Sequence, residues 1–102
     1  MAKPKPLERL EWSLTQQNLW LSILSLASRS PVYAYALPAL IQKNFGFTPS
    51  RLMVYLVLYK LESEGMLTSF ERDMRKYYKL AIPGKRCLAL GKKELSKWAK
   101  KL

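Results

Sequence analysis

Residues 48–65 read TPSRLMVYLVLYKLESEG, and the fold turns on whether this stretch is a helix or a strand. Its apolar centre, Leu52 to Tyr59, is compatible with a buried strand. The flanks favour a helix. Thr48-Pro49-Ser50 is an entrance signal, because a hydroxyl cap followed by proline at the first helical position satisfies the donors a helix start leaves unpaired. Lys60-Leu61-Glu62-Ser63-Glu64-Gly65 is an exit closed by glycine, and the whole is longer than an ordinary strand. With Val54, Leu58 and Leu61 turned to a core, Tyr55, Tyr59 and Lys60 face outward.

Upstream, Met1-Ala2-Lys3-Pro4-Lys5-Pro6 is expected to be an extended, mobile arm, since its two prolines lack backbone donors. Leu7, Leu10 and Leu14 then follow helical spacing, a short helix suited to packing on a partner subunit. From Gln17 to Ser28 there is little polar surface, so a buried helix is expected there, capped by Ser13 or Thr15 and broken at Ser30-Pro31. Another helix is expected from Val32 to Asn44, with Ala36, Leu37, Leu40 and Ile41 on one face and Pro38 tolerable only near its first turn or as a kink. Gly46 supplies the left-handed terminus.

Downstream, Met66 to Arg72 and Lys76 to Ala81 have strand character, joined as a hairpin through Asp73-Met74-Arg75. Pro83-Gly84 opens a last helix, in which Leu88, Gly91, Leu95, Trp98 and Leu102 recur at spacings of three and four, the seam of a coiled coil. The expected class is mainly α with a small β-hairpin: an arm and short helix over 1–14, a winged helix-turn-helix over 15–82 and a C-terminal dimerisation helix over 83–102.

Composition narrows the function. A chain of 102 residues has room for one core, and 49% apolar with 25% charged residues suits a folded domain. Eighteen Lys and Arg against seven Asp and Glu give a net charge of +11, of which +9 falls in residues 72–102. Such a surplus calls for an anionic partner, with nucleic acid first in line. The chain has no His, no second Cys beside Cys87, no glycine-rich phosphate loop and no paired carboxylates, so neither catalysis nor a metal or cofactor is expected. Cys87 is then either an inert buried thiol or, near a dimer axis, an intersubunit disulfide. The absence of a disulfide framework, of an apolar run long enough for a membrane span and of an export signal makes a cytoplasmic, membrane-free protein the expectation.

Between Leu21 and Arg86 the chain carries Ile23-Leu24-Ser25-Leu26, Pro31-Val32-Tyr33-Ala34-Tyr35, Val54-Tyr55, Leu58-Tyr59-Lys60-Leu61-Glu62-Ser63-Glu64-Gly65-Met66-Leu67, Lys76-Tyr77-Tyr78-Lys79-Leu80 and Gly84. By these motifs the stretch resembles PadR-like transcriptional regulators. The resemblance implies a homodimer on double-stranded DNA, with the helix opening near Ser50 in the major groove, the hairpin wing on the phosphates or minor groove, and the last helix joining the subunits. On that reading Thr48, Ser50, Arg51, Tyr55, Tyr59 and Lys60 of the helix and Arg72, Arg75, Lys76 and Tyr77 of the wing contact DNA, and Leu88, Gly91, Leu95, Trp98 and Leu102 form the dimer interface.

Leu52, Met53 and Leu56 depart from the family, which has small or polar residues and a proline there. They are core residues, thymine-methyl contacts, a surface covered by the N-terminal segment, or a protein interface. Two rival functions follow: a winged-helix protein-interaction module, or an architectural DNA binder without sequence preference. Trp12, Trp20 and Trp98 are expected to anchor packing, and Tyr33 and Tyr35 to cap the core.

Overall fold

A helix needs its first donors satisfied, and in the computed structural model, which describes residues 2–102, Ser50 does this for the decisive stretch: its Oγ accepts from the Met53 N–H at 3.1 Å. The resulting helix runs Arg51–Ser63, two residues later than a Thr48 cap would set it. Pro49 is buried and Thr48 instead donates its hydroxyl to Gln42 Oε1, so the hydroxyl nearer the helix takes the capping role.

Among the described residues the order is α1 (Lys5–Leu14), α2 (Leu19–Arg29), β1 (Val32–Tyr33), a 3₁₀ turn (Ala34–Ala36), α3 (Leu37–Phe45), α4 (Arg51–Ser63), β2 (Leu67–Arg72), β3 (Arg75–Leu80) and α5 (Ile82–Lys101). This is the mainly helical winged architecture that the sequence suggested, with the expected hairpin extended to three strands by β1. The expected arm is shorter, because α1 begins at Lys5, places Pro6 in its first turn where no donor is needed, and leaves residues 2–4 before it; Met1 lies outside the described residues. Lys3 forms an ion pair with Glu11, and α1 buries none of its own side chains.

The central helix is α2, which sets Leu19, Ile23, Leu24, Leu26 and Ala27 into the core and packs against α3, α4, α5 and β3. From α4 come Val54, Leu58 and Leu61, from α3 Leu37 and Ile41, and from the sheet Val32, Leu67 and Tyr78. The helix expected from Val32 starts five residues later. Val32 and Tyr33 form a strand paired antiparallel with β3, in register Val32↔Tyr78 and Tyr33↔Tyr77, and the helix opens at Leu37, which brings Pro38 into the first turn. Gly46 ends α3 at φ +78°, a conformation that glycine adopts without steric cost.

The sheet order is β1-β3-β2. Its hairpin closes in two residues rather than three: Arg72 pairs with Arg75, and Asp73 and Met74 take φ of +52° and +62°, the left-handed pair of a type I′ turn. Pleating divides the sheet. Val32, Tyr78, Leu67 and Leu80 face the helices, while the row Tyr33–Tyr77–Phe70, flanked by Arg75 and Arg72, lies on the other face.

In α5 the heptad stripe splits. Leu88 is buried in the protomer's own core, and Gly91 lies so close to α2 that an added Cβ would come within 2.9 Å of Trp20 and 3.0 Å of Leu21. Leu95, Trp98 and Leu102 are exposed. Trp20 is half-buried and bonded to Asn18 at 3.2 Å, but Trp12 and Trp98 anchor nothing in the protomer, being more than half exposed. No helix among the described residues is long and apolar enough to cross a membrane.

Candidate nucleic-acid interface

The entrance of α4 and the wing are joined by a row of rings and guanidinium groups. Arg51 donates from Nη1 to the Tyr35 carbonyl at 2.9 Å, and its Cζ lies 3.9 Å from the centroid of the Tyr35 ring. Tyr35 sits 6.1 Å from Tyr33, Tyr33 5.6 Å from Tyr77, and Tyr77 stacks on Phe70 at 5.6 Å. Arg75 lies over Tyr33 at 5.1 Å and Arg72 over Phe70 at 5.6 Å. Five elements thus present three arginines along one surface, each held against a ring by its attraction to the π-face. A guanidinium seated this way keeps most of its five donors free for phosphate or a base edge.

Of the residues singled out in the sequence, Ser50, Arg51, Arg72, Arg75 and Tyr77 come together on this surface. At about 3.6 residues per turn, Tyr55 shares the sheet-facing flank of α4 with Arg51 and Glu62, and Tyr59 points outward and is exposed. Three residues fall elsewhere, the first being Thr48, whose hydroxyl is given to Gln42 Oε1. Lys60 shares the far flank with Met53, where both line a groove with Gln16 and Val57, and Gln16 donates to the Thr48 carbonyl at 3.4 Å on that same side.

Lys76 lies on the inner face of the wing, separated from Arg75 by the pleat. Its Nζ is 4.0 Å from Glu62 Oε1 of α4, and Glu62 also accepts from the Ser69 hydroxyl. Its pKa is raised above the ordinary lysine value, first by hydrogen bonding with the Tyr78 side chain and the charge of Tyr78, with burial opposing and Glu62 and Glu71 adding smaller increments. Lys76 therefore ties the wing to α4 while the arginines remain available.

The expectation that Tyr33 and Tyr35 cap the core is corrected: Tyr35 is 59% exposed, and both rings form the middle of the surface row. Tyr33 ends β1 and Tyr35 lies in the following 3₁₀ turn, so no single periodicity in the sequence places both rings on this surface. Phe70 was also missed. The outward side of α4 is bare, with Leu52 68% and Leu56 53% exposed, so neither the core nor α1 covers them. Cys87 is half-buried and lines grooves on both sides of α5's first turns.

The model of the transcriptional regulator PadR-like family matches residues 23–90. Among solved structures, a PadR family transcriptional regulator from Eggerthella lenta superposes with a TM-score of 0.78 at 25% identity, over 93% of this chain and 87% of that one. A PadR family transcription regulator from Clostridium difficile gives 0.73 at 25% identity, over 79% of this chain and 90% of that one. Bacillus subtilis PadR, solved in complex with operator DNA, shares the fold at 24% identity and a TM-score of 0.61, over 70% of this chain and 44% of that one. No curated protein matches the chain in sequence.

Proposed function

That the chain belongs to the PadR-like family of transcriptional regulators is the premise from which we propose how it acts: as a cytoplasmic, non-enzymatic homodimer on double-stranded DNA. In this reading α4 enters the major groove, with Arg51, Tyr55 and Tyr59 toward base edges and backbone, and Arg72, Arg75 and Tyr77 of the wing engage the flanking phosphates or the minor groove. The exposed Leu95, Trp98 and Leu102 of α5 meet their counterparts in a second copy, continuing outward the stripe that Leu88 and Gly91 begin inside the protomer. Bacillus subtilis PadR, with its operator, is the precedent for the partner.

One observation carries the reading: Arg51 and Arg75, from elements far apart in sequence, are seated on adjoining tyrosines of a single surface. A polyanion spanning helix entrance and wing is the partner such a surface suits, and the chain's charge of +11 adds long-range attraction. Fluorescence anisotropy on a random duplex across a salt series tests it. Each neutralised phosphate contributes about −0.9 to the slope of log affinity against log salt, so three arginines per subunit in a dimer give about −5. No binding at low salt would defeat the proposal and leave a winged protein-interaction module, which the exposure of Leu52 and Leu56 favours as second reading.

A further inference from the structure

Leu52, Leu56, Tyr59 and Ser63 form the outermost stripe of α4, one or two turns apart, and the first two present bare aliphatic surface near the end of the helix that reaches deepest in a groove. The hydrogen-bonding groups normally used to read bases are scarce around them. No Asn, Gln or Asp lies in Arg51–Ser63; the one carboxylate, Glu62, is bound to Ser69 and faces Lys76; and Arg51, the only guanidinium, is turned to Tyr35. The apolar stripe is bordered by cations on both sides, Arg51 with the wing arginines on one and Lys60 on the other. A partner matching this pattern is negatively charged at its two rims and apolar between them. The major groove of DNA has that form, and the one apolar group on its floor is the C5-methyl of thymine.

We propose that Leu52 and Leu56 discriminate bases by packing against thymine methyl groups, so that methyl contact, rather than hydrogen bonding to base edges, supplies most of the sequence preference. This rests on the DNA-binding reading above and names what its central helix recognises. Leu52 and Leu56 are then specificity-determining residues, and the wing arginines supply affinity common to every duplex.

Paired duplexes that differ only in this group test the idea: an alternating dA-dT hairpin and its dA-dU counterpart, which lacks the methyl, measured by anisotropy with the full chain. Burying one methyl changes affinity about fourfold, so contacts by both leucines give a dT over dU preference of about 15-fold per subunit engaged. The salt slopes of the two duplexes should coincide, because their phosphates are the same. In the double variant Leu52→Gln, Leu56→Gln the preference should collapse to about onefold with the slope kept; Leu52→Ala, Leu56→Ala should give an intermediate value. Both sites are exposed, so the fold does not depend on them.

Equal affinity of the unaltered protein for the two hairpins overturns the proposal while leaving DNA binding intact, as does a preference that survives in the Gln variant. If the Gln variant changes its sedimentation coefficient instead of its dT to dU ratio, the stripe is a protein contact and the proposal fails. Absence of binding to either hairpin at low salt removes the DNA-binding reading itself, and the methyl reading with it.

Discussion

The Arg51-to-Arg72 row and the last turns of α5 use the same materials, cations laid over aromatic rings, yet they are assembled differently. In the row each guanidinium rests on a ring from another element or another residue of the sheet, and the rings touch one another across α3's approach, β1, β3 and β2. In α5 everything is local. Lys97 and Lys101 lie 5.9 Å and 4.9 Å from the Trp98 ring, and Trp98 donates to Glu94 at 2.9 Å, all within one helix. Such contacts fix side-chain rotamers but bury little apolar area, so Leu95 stays 45% and Trp98 55% exposed. The row is a finished surface within one protomer. The end of α5, with the groove of about 590 Å³ that Trp98 lines beside Trp20 and Leu21, is left open in the protomer, and in the dimer we propose a second copy completes it.

The largest effect should come from removing that completion. Leu95→Asp with Trp98→Asp should convert dimers to folded monomers in sedimentation, and duplex affinity should drop by about 100-fold or more as linked half-site binding is lost. A variant that stays dimeric would break the contrast between the two regions. Next, Arg72→Glu with Arg75→Glu should weaken every duplex alike, by roughly tenfold or more, with a salt slope shallower by about 0.9 for each phosphate that is no longer neutralised. Sequence-dependent losses would place these arginines on bases instead.

A smaller change isolates the seating of a guanidinium. Tyr35→Leu removes the ring but not the carbonyl that Arg51 bonds, and should lower affinity about two- to fivefold with little change in Tm, since the ring is mostly exposed. The smallest effect is expected for Lys76→Gln. It breaks a solvent-exposed pair with Glu62 worth at most about 1 kcal/mol, and should cost no more than about 4 to 8 °C of Tm while leaving affinity within about twofold. Equal losses from Lys76→Gln and Arg75→Gln would erase the distinction between the two faces of the wing.

Much of the fold could be read from local chemistry. Gly46, the proline-bearing start of α5 and the helical exit at Glu62 to Gly65 are signals that act within a few residues, and each element they delimit is present. What escaped notice depends on partners remote in sequence. Val32-Tyr33-Ala34-Tyr35-Ala36 suits helix or strand, and only β3, some 45 residues on, decides the matter. Thr48 and Ser50 are equivalent caps until the burial of Pro49 selects one. The heptad of α5 looks uniform in sequence, because spacing cannot tell a leucine that meets α2 of its own chain from one left exposed further along the same helix. The candidate surface was legible to the same extent: Arg51, Arg72, Arg75 and Tyr77 could be named, but Tyr33, Tyr35 and Phe70, which join them, could not.

The two-residue strand β1 has a mechanical consequence out of proportion to its size. A hairpin fastened at one edge alone would swing as a loose flap; here Tyr33 is stitched to β3, and two residues later Tyr35 grips Arg51. Any load on the wing tip is thus transmitted through a short, stiff tether to the start of α4. The two parts should pivot together as one lever, engaging or releasing the proposed duplex in concert.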